Sequence, residues 1–262
     1  MKKQALDKKM EHRDTTAAIA TTLHAADTGL SACCASWCPV DGSKHLLACA
    51  TYDLEREEEE DVVSAEHPPA PSTRRPQRRR GGVILYGLTY SAEGPALEEV
   101  ARNPVENGVL DCKWCASPLN GTPVLASVTS GGALCLHACD GQRQQLQHLC
   151  EGRPRQVGGG SQPLLLSVGW ANAATTGADA NADAGATASL RLVTSDSFGG
   201  LAVWSAGRGD GGLTVETAWC GHSLGGAPTE AWTAFFSAHD RNFFGARADD
   251  SLTNGWHGRA RG

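Results

Sequence analysis

The chain has 262 residues, with 23 Lys and Arg against 29 Asp and Glu, for a formal net charge of −6. That length allows one large domain or two small ones, and the acidic balance offers no basic footprint for nucleic acid. No apolar stretch nears the roughly 18 residues of a membrane helix, and the basic start at Met1 to Met10 lacks the apolar run of a signal peptide.

From the N-terminus, residues 1–22 read as a mobile charged tail. A Trp follows in Ala35-Ser36-Trp37-Cys38-Pro39, then an apolar strand over His45 to Thr51. Residues 55–80 form a disordered insert: an acidic run, a Pro-rich centre and a basic end at Arg74 to Arg80, too polar to offset the entropy of ordering. Gly82 to Tyr86 resumes the strand pattern. The same grammar returns as Val109 to Trp114, Val124 to Ser130 and Gly132 to Leu136. Here Leu125, Ser127 and Thr129 should face one way, and Ala126 and Val128 the other. A weaker break covers Cys150 to Gln162. The third copy is Leu165 to Trp170, a polar loop over 171–189, Leu190 to Asp196 and Gly200 to Trp204. A looser fourth runs through Ala231 to Phe236, Phe243 to Ala246 and Asp249 to Trp256.

With the inserts removed, the period approaches the roughly 40–45 residues of a four-stranded propeller blade. The fold class expected is therefore all-β, a WD-repeat β-propeller over 23–262 with about four blades, a partial ring. A β-sandwich is the competing reading, but the recurring Trp–strand–Gly–strand order favours the propeller. The Trp residues at 37, 114 and 170 should lie in the core.

Several ordered blocks carry a family resemblance. They are Ala26-Asp27-Thr28 with Trp37-Cys38-Pro39 and Leu46 to Leu54; Leu110-Asp111-Cys112-Lys113-Trp114; Ser195-Asp196-Ser197 with Gly199-Gly200-Leu201; and His222 with Glu230-Ala231-Trp232, Asp249-Asp250 and Gly255-Trp256. Together they resemble the WD-repeat family of diphthine methyl ester hydrolases, also called diphthine methyltransferases. The chain departs from that pattern at Arg247-Ala248, at Trp256-His257 and in the insert Leu224 to Pro228. It also stops about four blades in, so the expectation is a fragment or a degenerate copy. The resemblance implies hydrolysis of the methyl ester on a modified histidine of translation elongation factor 2, a step of diphthamide biosynthesis. The implied partner is that protein, with no nucleic acid and no membrane, and a cytoplasmic location. A non-catalytic WD-repeat interaction scaffold is the alternative.

The family supplies no matched catalytic motif, so candidates rest on chemistry. Ester hydrolysis needs a base for water, a proton donor for methanol and donors facing the oxyanion. His222 with Glu230 is one pair, a base and the carboxylate orienting it. Asp196, Asp249 and Asp250 are further carboxylates, placed at matching turn positions, where an Asp also orders the turn through backbone N–H groups. The structural reading of His222 is the histidine that WD repeats use to tie a strand turn. Gly221-His222-Ser223-Leu224-Gly225 matches the nucleophile-elbow pattern with Ser223 as nucleophile, but too little chain follows for an α/β-hydrolase and the units before it are all β. Cys112-x2-Cys115 and Cys135-x3-Cys139 have spacings that zinc can use, yet apolar packing explains both. The ten cysteines otherwise read as reduced thiols, and no cofactor or metal is expected.

Overall fold

Short runs in which both faces are apolar, cut by Gly and Asp turns, make strands buried on two sides. The computed structural model describes residues 22, 24–55, 78–141, 143–154, 162–171, 190–207, 212–240 and 242–258. The expected tail, most of the inserts 55–80 and 171–189 and the centre of the 150–162 break lie outside the described residues.

The first sheet is an antiparallel meander of β1 (Ser31–Trp37), β2 (Leu46–Leu54), β3 (Arg79–Ser91) and β4 (Gly94–Val105). The second is β5 (Val109–Trp114), β6 (Val124–Thr129), β7 (Leu134–Asp140) and β8 (Gln145–Gly152). The third is β9 (Leu165–Trp170), β10 (Leu190–Asp196), β11 (Gly200–Ala206) and β12 (Leu213–Cys220). A small hairpin of β13 (Ser223–Leu224) and β14 (Ala227–Pro228) precedes the last sheet, β15 (Ala231–Phe236), β16 (Phe243–Ala248) and β17 (Thr253–His257). Among the described residues there is no helix. The sheets are the blades of a propeller, and no closed ring is found among the described residues.

Successive blades are joined through their first strands: β1 packs on β5, β5 on β9 and β9 on β15. Three apolar layers fill the gaps. Leu46, Ala48, Val83 and Leu85 of the first blade meet Val109, Trp114 and Leu125 of the second. Val124, Ala126, Val128 and Leu134 meet Leu165, Leu192 and Trp204. Val193, Leu201 and Val203 meet Ala231, Ala234 and Phe244. The expected alternation in β6 holds, with Leu125 in the first layer and Ala126 and Val128 in the second. Each fully buried Leu or Val contributes about 1.5–3 kcal/mol, so burial between blades, more than any single sheet, holds the arc.

A repeating pair of hydrogen bonds sets the spacing of the first strands. The indole Nε1 of Trp114 donates to the Ser36 carbonyl at 2.9 Å, and that of Trp170 donates to the Lys113 carbonyl at 2.9 Å. Three residues before each Trp, a side chain accepts a backbone N–H from the following blade. Cys34 Sγ takes it from Cys112 at 3.0 Å, Asp111 Oδ2 from Val168 at 3.0 Å and Ser167 Oγ from Ala234 at 2.7 Å. Trp37 differs from the expectation: it is 48% exposed, whereas Trp114 is buried. The described residues place no blade before β1, so its indole has no preceding carbonyl to bind.

Candidate functional site

The turns between the second and third strands of three blades share one backbone shape, and they lie where the connections between blades arrive. They cover residues 129–133, 196–200 and 248–252. The fourth residue of each has positive φ: Gly132 at 71°, Gly199 at 71° and Ser251 at 63°. Its N–H returns to the carbonyl of the first residue, Thr129, Asp196 or Ala248. That register corrects the expected equivalence of the three aspartates: Asp196 is first in its turn, whereas Asp249 is second and Asp250 third. Asp196 Oδ1 accepts the N–H groups of Phe198 at 2.8 Å and Gly200 at 2.7 Å. Thr129 Oγ1 takes the matching N–H of Ala133 at 3.2 Å. Through Oδ1, Asp196 thus holds its own turn.

His222 follows β12 and is held from three sides. Its backbone N–H and that of Gly221 both reach the Gly199 carbonyl, at 3.3 and 2.8 Å. Its Nδ1 lies 2.8 Å from Asp250 Oδ2, and its ring meets Trp256 edge to face with centroids 5.9 Å apart. The sequence pairing of His222 with Glu230 is therefore replaced by His222 with Asp250. The geometric reason is that the third residue of the 248–252 turn points back at the connection, while Glu230 leads into β15. Burial pushes the Asp250 carboxyl up, but the His222 bond and the N–H of Leu252 at 3.0 Å outweigh it and hold it below the usual carboxylate range. The other ring nitrogen is Nε2. That atom is buried and has no hydrogen-bond partner among the described residues. Sealed from solvent, His222 ties the connection to the turn.

Two candidates remain more open. Asp249 Oδ1 accepts the indole N–H of Trp232 at 2.7 Å. Glu230 is half-buried, its main-chain carbonyl takes the Asp249 N–H at 3.3 Å, and its carboxylate has no hydrogen-bond partner among the described residues. Phe198 and Leu252 on these turns, Leu224 in the β13–β14 hairpin and Trp232 near the start of β15 are exposed apolar side chains. Ser223 is exposed in the β13–β14 hairpin, whose Gly225 and Gly226 carry φ of 60° and 84°, as a tight two-residue turn requires. It sits on no strand-to-helix bend, so the nucleophile-elbow pattern is coincidental.

Sequence reasoning missed a second buried pair. Ten residues separate Thr194 from Trp204, whose Nε1 donates to Thr194 Oγ1 at 2.9 Å. Ten also separate Ser127 from His137, whose Nε2 lies 3.0 Å from Ser127 Oγ. His137 thus stands where the next blade has Trp, and burial, then His148, pushes its pKa down to about 4. The spacing from the Gly turn was the signal available.

The zinc spacings do not gather: Cys112 lies in the first interblade layer and Cys115 in the second. Among the described residues a different set, Cys135, His148 and Glu151, brings its ligand atoms within 4.8 Å of one another. Burial pushes the Cys135 thiol up to about 11, and Arg153 already holds the Glu151 carboxylate at 3.2 Å.

The chain is 30% identical over 243 residues to diphthine methyltransferase of Mus musculus, covering 92% of this chain and 46% of that protein. It is 28% identical over 241 residues to diphthine methyltransferase of Homo sapiens, covering 92% and 49%. These two matches, each over 92% of the chain, support membership of the diphthine methyltransferase family. It spans about half the length of these curated relatives. No general family model matches it. Among solved structures, a chain of "COPII on membranes, outer coat vertex" superposes with a TM-score of 0.51 at 11% identity, over 85% of this chain and 46% of that one. That likeness concerns the fold alone. The turns at 196–200 and 248–252 and the connection through His222 bear the later motif blocks, whereas the earlier ones lie on and beside β1, β2 and β5.

Proposed function

We propose that this chain takes part in diphthamide biosynthesis by hydrolysing the methyl ester of diphthine methyl ester on translation elongation factor 2. The observation that carries this reading is the match to two diphthine methyltransferases across 92% of the chain. The reaction adds water across the ester and releases methanol and a carboxylate. A base must take a proton from water as it attacks the carbonyl. Glu230 is the carboxylate free for that work, since Asp196 accepts turn N–H groups, Asp249 accepts an indole N–H and Asp250 is held between His222 and a turn N–H. The exposed Phe198, Leu224, Trp232 and Leu252 supply apolar contact for a protein substrate. Phe198 and Leu252 lie on the two turns, Leu224 in the hairpin before Glu230 and Trp232 on β15 two residues after it, so the substrate histidine would be delivered beside Glu230.

The test incubates the protein with elongation factor carrying the methyl-esterified residue and follows the methyl group by mass spectrometry. Methyl loss, slowed about 100-fold by Glu230→Gln and untouched by Ser223→Ala, is the expected result. Stable binding without methyl loss would assign the same exposed residues to a non-catalytic scaffold.

A further inference from the structure

Two cysteines of neighbouring first strands face each other across the gap between the first and second blades. Cys34 Sγ and Cys112 Sγ are 3.4 Å apart, already in contact and short of a bond by little more than an ångström. Cys34 sits just after an irregularity in the β1–β2 pairing, where Cys33 is the extra residue. Cys112 is buried in the first interblade layer, whereas Cys34 is half-buried on a strand whose neighbouring residues are largely exposed. Cys34 is thus the less buried of the pair and Cys112 the more sheltered.

We propose that Cys34 and Cys112 form a peroxide-sensitive thiol pair that closes to a disulfide and staples the first blade to the second. Cys34 occupies the position that Asp111 and Ser167 hold in the next two blades, where a side chain accepts an N–H from the following strand. Sulfur does this best as thiolate. The bonds from the Cys112 thiol, then from the Cys33 thiol, and the Cys112 N–H hold the Cys34 thiol well below its ordinary range. The same bond to Cys34, together with burial, keeps the Cys112 thiol protonated. The asymmetry assigns the order of events.

The Cys34 thiolate attacks one oxygen of hydrogen peroxide. An S–O bond forms, the O–O bond breaks, and hydroxide leaves to become water on taking a proton. Cys112 sulfur then attacks the Cys34 sulfenic acid. The S–S bond forms, the S–O bond breaks, and the departing hydroxide leaves as water with the Cys112 proton. Two thiols and one peroxide give one disulfide and two waters, with two electrons passing from sulfur to oxygen.

The test uses the full chain, reduced and freed of reductant, treated with one equivalent of hydrogen peroxide, then digested without reduction and mapped by mass spectrometry. A linked pair of peptides bearing Cys34 and Cys112, two hydrogens lighter than the sum and released by dithiothreitol, is the expected result. Cys33→Ser keeps the link. Cys112→Ser replaces it with a sulfenic acid at Cys34, which dimedone traps. The linked protein melts roughly 5 °C or more above the reduced one, because the bridge closes a long loop in the unfolded chain. Thiol loss without the 34–112 link, or a link to Cys33 instead, overturns the proposal. Peptide mapping of the unmutated chain decides this even if a variant folds poorly.

Discussion

The Trp204–Thr194 bond is a measurable test of how the third blade is held. Both side chains are buried, and Nε1 donates to Oγ1 at 2.9 Å. Trp204→Phe removes the donor, leaves a void in the second interblade layer and orphans the hydroxyl. Together these should cost about 3 kcal/mol. Thr194→Val leaves the indole N–H unpaired while keeping shape, for about 1.5 kcal/mol. In the double variant nothing is orphaned, so the loss should fall short of the sum by about 1 kcal/mol. Urea denaturation of the four proteins reads the coupling as the shift in midpoint at constant slope. Additivity within roughly 0.3 kcal/mol would refute the bond as a stabilising pair.

Three further outcomes follow from the same geometry. His137 is held neutral, with a folded-state pKa of about 4, so the unfolded chain binds the proton first. Stability should be full above about pH 6.5 and decline as pH falls through about 4, and His137→Gln should flatten that part of a stability profile by up to about 3 kcal/mol. Asp111 runs the other way: burial, then Cys34, raises its carboxyl to about 6, so its contribution is present at low pH and lost as pH rises through about 6. Asp111→Asn, which keeps an acceptor for Val168, should raise the melting temperature at pH 7.5 more than at pH 4.5; equal shifts would contradict this. A Cβ on Gly169 would lie 2.9 Å from the Ala234 carbonyl oxygen and 3.2 Å from Phe235 Cα, both backbone atoms of the next blade. Gly169→Ala should therefore cost about 1–3 kcal/mol in urea denaturation by forcing β9 from β15.

The second and third blades were legible in the sequence because β5 and β9 end in a Trp whose indole has a fixed job, and β7 and β11 begin after a positive-φ turn. The order Val109 to Trp114, Val124 to Thr129 and Leu134 onward follows directly from those two marks. Trp37 was misjudged for the same reason: the mark is a contact with the preceding blade, and a single sequence does not tell which copy lacks one. The site was less legible. Nearness along the chain suggested Glu230 for His222, but its partner comes from the next strand turn, 28 residues on. A spacing of six between Asp250 and Trp256 was the available clue, since both then flank one histidine ring. The Cys34–Cys112 contact joins residues 78 apart, and only the stacking of first strands brings them together.

The β13–β14 hairpin is bracketed by two anchored points, buried His222 before it and buried Ala231 after it, while Ser223, Leu224, Ala227 and Pro228 all face solvent. Evolution can lengthen or shorten such a projection without re-tuning the layers on either side, which fits the five extra residues noted there. An engineer has the same liberty: a fluorophore, an epitope or a short grafted peptide at Gly225–Gly226 would ride above the candidate site and report on whatever docks there, with the framework beneath left undisturbed.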